Sequence, residues 1–92
     1  MAVIELTDIT SLASARHAAR SGRARELRVG AGFSQAEFAA YCGVTPTTIG
    51  LWESGKRRPS GEAAHRYAEV LGLLTKYAAT SDEGISVEDA GS

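Results

Sequence analysis

From position 11 onward the apolar residues fall three and four apart, the spacing that lines one face of a helix. Leu12, Ala15, Ala18 and Ala19 make a weak stripe over Ser11 to Arg20. Ser21-Gly22 breaks or re-caps it, because Ser is a good N-cap and Gly a poor interior residue. A second helix is predicted from about Arg23 to Val29, ending at Gly30-Ala31-Gly32. Ser34-Gln35-Ala36-Glu37 then has the form of a capping box, in which the Ser hydroxyl and the Glu carboxylate satisfy each other's backbone amides. The helix it opens carries Phe38, Ala39 and Cys42 on one face and stops at Gly43, which can take the left-handed conformation of a tight corner. Thr45 caps the next helix, with Pro46 at the first position, where a missing amide proton costs nothing. Its inward face is Ile49 and Trp52, and Gly55 followed by Lys56-Arg57-Arg58-Pro59 closes it. Ser60 caps a last long helix whose stripe is Ala64, Tyr67, Ala68, Leu71 and Leu74.

The two ends are less regular. Val3, Ile4, Leu6 and Ile9 fit a short strand or an apolar arm equally well. Beyond Ala78 the acidic, Gly- and Ser-bearing end reads as a mobile tail. The chain therefore divides into an N-terminal arm or helix over 1–22, a central domain over 23–78 and a flexible acidic tail over 79–92. The expected fold is all-α, a compact bundle of four to five helices. Within it, two short helices joined by about four residues including Gly describe a helix-turn-helix. Ala39 must be small where the second of the pair crosses it, and Val44, Ile49 and Trp52 plug the pair into the other helices.

Charge changes this picture once it is divided along the chain. The net charge of −1 hides ten Lys and Arg that all lie between residues 9 and 78, leaving that stretch at +5. Residues 79–92 carry Asp82, Glu83, Glu88 and Asp89 and no base. A basic middle permits phosphate contact, and the acidic end opposes it. At 43% hydrophobic and 23% charged, the composition is that of an ordinary globular protein. Cys42 is the single cysteine and has no ligand spacing around it, so neither an internal disulfide, a metal nor a cofactor is expected. No targeting pattern and no long apolar run is visible, which points to the cytoplasm and away from membranes. No nucleophile, base and orienting group cluster recognisably, so an enzyme is not expected.

In its ordered residues the chain resembles the Cro and phage-repressor type of helix-turn-helix, also called Xre-like. The resemblance rests on Arg28, Gly32-Phe33-Ser34-Gln35, Ala39, Gly43-Val44, Ile49, Trp52-Glu53-Ser54-Gly55 and Pro59, and it covers about Arg23 to Leu73. It implies a lambda-repressor-like bundle with Thr45–Glu53 as the recognition helix. It also implies that Ser34 and Gln35, at a helix N-terminus, hold a DNA phosphate, and that Thr45, Pro46, Thr47, Gly50 and Leu51 face the bases. Ser54, Lys56, Arg57 and Arg58 would contact the backbone, and Arg28 and Glu53 would form a structural ion pair.

Each role has a plainer counterpart. Lys56-Arg57-Arg58 could be a solvated loop, and Gln35 a helix-start residue without a ligand. Trp52 and Cys42 read as core, and His17 and His65 as surface residues. Arg16, Arg20 and Arg23 fit either an ordinary helix surface or an extra DNA contact. The base-facing set departs from the usual pattern, because it lacks the Arg, Lys, Asn and Gln that bond base edges in pairs. Thr47 is the one clear polar reader, and Gly50 is costly inside a helix, by about 1 kcal/mol relative to Ala. The leading expectation is a transcriptional regulator of the phage-repressor type, activator or repressor left open, binding double-stranded DNA as a homodimer on paired half-sites. The alternative is a protein-interaction module, an antitoxin or regulatory adaptor, built on the same fold.

Overall fold

The computed structural model describes the backbone of residues 6–91 and the side chains of residues 9–80. Five helices follow one another: α1 (Leu6–Ser21), α2 (Arg23–Gly30), α3 (Gln35–Cys42), α4 (Pro46–Glu53) and α5 (Gly61–Gly91). No strand occurs among the described residues. Nor, among them, is any helix long and apolar enough to cross a membrane.

The three central junctions are made by local chemistry. At the start of α3 the Glu37 amide donates to Ser34 Oγ at 3.0 Å, and the Ser34 amide donates to Glu37 Oε1 at 2.8 Å. Two of the helix's otherwise orphaned donors are thereby satisfied. α3 ends at Gly43, where φ of +76° is left-handed, and the amides of Gly43 and Val44 both donate to the Ala39 carbonyl. A side chain at that conformation would be strained, so Gly is required for the corner between α3 and α4. Thr45 then caps α4 through an amide hydrogen bond from Thr48, with Pro46 in the first turn.

The core forms where these helices meet α5. Phe38, Ile49, Ala64 and Tyr67 are fully enclosed, joined by Ala39, Cys42, Trp52, Leu71 and Leu74. The Tyr67 ring sits 4.7 Å from Trp52 and meets Phe38 edge-on at 6.0 Å. The first pair is tilted and the second edge-on, and aromatic pairs of the edge-on kind add about 0.5–1.5 kcal/mol beyond the area they bury. α1 joins the same core through Ala15 and Ala19, both buried, and packs on α2, α4 and α5.

Two end regions differ from the sequence reading. Leu6 to Ile9, read above as strand or arm, lie in the first turns of α1. Once Ser11–Arg20 is helical, each further residue adds a hydrogen bond without a new nucleation cost, and propagation wins over a brief apolar pattern. Residues 1–5 lie outside the described residues. At the other end, α5 propagates in the same way through the acidic segment to Gly91. The side chains of residues 81–92, Ile85 and Val87 among them, lie outside the described residues. α5 opens at Gly61, at φ of +71°, one residue after Ser60.

Candidate nucleic-acid interface

α4 has two faces. Ile49 and Trp52 are buried, whereas Thr45, Pro46 and Thr47 are exposed and Gly50 and Leu51 half-buried. The Thr45 hydroxyl accepts from the Thr48 amide and lies 3.1 Å from the Thr48 hydroxyl. The Thr47 hydroxyl has no hydrogen-bond partner among the described residues. It is therefore the α4 hydroxyl most open to an outside ligand.

A buried ion pair fixes how α4 is held. Arg28 donates to Glu53 through Nε at 2.6 Å and Nη2 at 3.0 Å, a two-pronged contact. The Arg28 and Glu53 side chains are only 8% and 4% exposed. Arg28 also donates through Nη1 to the Phe33 carbonyl at 2.7 Å, tying the turn before α3 into the same knot. Charges this deep need compensating partners, and each of the three guanidinium nitrogens donates one hydrogen bond while both carboxylate oxygens accept.

Gln35 completes the knot. Its Nε2 donates to Glu53 Oε1 at 3.2 Å, and the carboxylate acceptor fixes which end of the amide faces inward. The side chain lies over Gly50: a Cβ there would sit 3.6 Å from Gln35 Nε2, which is ordinary contact. Gly50 is thus not sterically compelled by Gln35. Ser34, beside it, is exposed, and its Oγ is engaged by the Glu37 amide as acceptor, leaving its O–H to donate.

The segment after α4 is a tight turn. Ser54 Oγ donates to the Leu51 carbonyl at 3.1 Å, and the amides of Lys56 and Arg57 donate to that same carbonyl. Gly55, at φ of +77°, allows the reversal. The side chains of Ser54, Lys56, Arg57 and Arg58 are all exposed, and Pro59 is buried.

Sequence reasoning grouped Arg16, Arg20 and Arg23, and the structure separates them. Arg23 faces Glu26 at 3.5 Å in an exposed pair. Arg16 and Arg20 instead flank the basic turn, and Arg16 Nε donates to the Pro59 carbonyl at 2.8 Å. Their four-residue spacing, which stacks two side chains on one helix face, was the available signal. What it could not reveal is the element that face meets.

Two buried groups are inert. Burial pushes the Cys42 thiol from 9.0 up to about 11, partly opposed by Arg66, so it stays protonated at neutral pH. Burial, with Glu53 and Cys42 adding to it, also raises the Tyr67 phenol well above its usual value. The Tyr67 hydroxyl has no hydrogen-bond partner among the described residues.

A family model described as helix-turn-helix matches residues 25–76. No curated protein and no solved structure matches the chain significantly.

Proposed function

The chain belongs to the Cro and phage-repressor (Xre-like) type of helix-turn-helix family, a family of DNA-binding domains, and from that premise we propose that it is a DNA-binding transcriptional regulator of that type. One observation carries the reading: the exposed side of α4 runs directly into three exposed cations, Lys56, Arg57 and Arg58, while its other side is locked in the core. In this reading α4 enters the major groove, where Thr45, Pro46, Thr47, Gly50 and Leu51 meet base edges. Ser54 and the three cations take phosphates on one flank, and Ser34 with Gln35 takes one at the start of α3, where free amides and the helix dipole favour an anion. Gln35 is already held by Glu53, so it has little freedom to lose on binding.

The bases are read chiefly by shape and apolar contact. Thr47 supplies a hydroxyl and a methyl, and Leu51 supplies a surface for thymine methyls. Phosphate contacts then carry most of the affinity, and the preference for one sequence is modest. The protein acts as two copies on paired half-sites about one helical turn apart. An apolar groove between α3 and α5, with Tyr41 and Leu73 exposed at its edge, supports pairing.

The test is a competition titration on a duplex selected from genomic fragments and on its scrambled counterpart. Thr47→Ala and Leu51→Ala should each lower the preference for the selected duplex by about 1–3 kcal/mol, the usual effect of removing one base-reading group. Binding to the scrambled duplex should barely change. If neither the native chain nor the variants bind duplex DNA, while the Leu51→Ala change abolishes a protein complex, the fold serves as an adaptor and the reading fails.

A further inference from the structure

The family match begins at residue 25, so α1 lies before it, yet α1 brings two arginines to the turn that follows α4. Arg16, Arg20, Arg57 and Arg58 line one shallow cleft of about 120 Å³, whose floor includes Ala19, Trp52 and Pro59. No carboxylate lines it. Among the described residues the ion pairs are Arg23 with Glu26 and Arg28 with Glu53, so none of these four guanidinium groups is neutralised by a partner. Like charges drawn into one cleft repel, and a bound anion relieves that repulsion.

The four do not play one part. Arg16 is half-buried and spends Nε on the Pro59 carbonyl, which pins the turn against α1. Arg20, Arg57 and Arg58 are exposed, and no hydrogen bond engages their side chains among the described residues. A planar guanidinium offers paired N–H groups that match two oxygens of a phosphate.

We propose that α1 is a working part of the DNA interface: Arg20 joins Arg57 and Arg58 in gripping a backbone phosphate beside the α4 docking site, with Arg16 as the residue that positions the turn. This rests on the DNA-binding reading above and extends the phosphate contacts beyond the matched segment. Arg23, on another side of α1–α2 and paired with Glu26, takes no part.

The experiment measures affinity of the full chain for a mixed-sequence duplex of about three helical turns, across a range of salt concentrations. Arg20→Ala should weaken binding about threefold to tenfold, as removal of one solvent-exposed hydrogen bond of ordinary strength does, and should flatten the plot of log affinity against log salt by about 0.9. Arg20→Gln, which keeps most of the stem, should give the same slope, while Arg23→Ala should match the native chain in both readings. If the native chain binds and Arg20→Ala retains its affinity and slope, the proposal is wrong. It is equally wrong if Arg23→Ala loses as much, since the effect is then one of net charge. Failure of the native chain to bind at all would instead overturn the DNA-binding reading, and this inference with it.

Discussion

Cys42 and Tyr67 show what single residues contribute at the centre of this bundle. Both are enclosed, and both hold their protons more tightly folded than unfolded. The folded state therefore binds more protons than the unfolded state above the unfolded thiol pKa. The stabilisation is complete below that value and is lost as pH rises through the folded one. Unfolding stability should be flat up to about pH 8.5 and should then fall. The thiol, raised from 9.0 to about 11, accounts for roughly 2–3 kcal/mol of the loss. Urea unfolding followed from pH 7 upward measures it, and Cys42→Ala with Tyr67→Phe should flatten the alkaline limb. At neutral pH, Tyr67→Phe should be at least as stable as the native chain, because it removes a buried hydroxyl that has no partner among the described residues. A stability curve with no alkaline limb in the native chain would contradict the burial of both groups.

Between elements, the knot of Arg28, Glu53 and Gln35 sets the angle at which α4 is presented. Glu53→Gln leaves the Arg28 charge buried without its counterion and should cost about 3–5 kcal/mol in urea unfolding. Against a total that is typically about 5–15 kcal/mol, this is a large share. Replacing both partners by apolar residues of similar size should recover part of the loss, because no buried charge is then stranded. A cost below about 1 kcal/mol for Glu53→Gln would place the pair in solvent and detach α4 from it. The elements themselves were legible where capping is local. Ser34 with Glu37, Gly43, and Thr45 with Pro46 each determine a helix end within a few residues of chain. The extent of α1 was not, because its stripe is mostly alanine and its burial comes from packing against α5. Gln35 illustrates the same limit at the site: its bond to Glu53 spans 18 residues of sequence and exists only once α3 and α4 have crossed.

Over the whole molecule, charge is sorted along the chain, with +5 over residues 9–78 and four acids without a base over 79–92. The core ends near Leu74, with Ala78 packed partly against it. Truncation after Ala78 should leave the melting temperature nearly unchanged and modestly raise DNA affinity at low salt, since a repelling segment is removed. Loss of folding on truncation would mean that the acidic end of α5 is structural. The proposed partners of the turn after α4 are phosphates, which are the same at every step of the duplex, and this contact underlies the DNA-binding reading. It is tested most directly by the salt dependence of DNA binding for the Lys56→Ala, Arg57→Ala, Arg58→Ala triple variant beside the native chain. The variant should bind every duplex more weakly by a similar factor, with the slope of log affinity against log salt reduced by about 0.9 for each phosphate no longer neutralised. Unchanged affinity and an unchanged slope would show that this turn faces away from DNA.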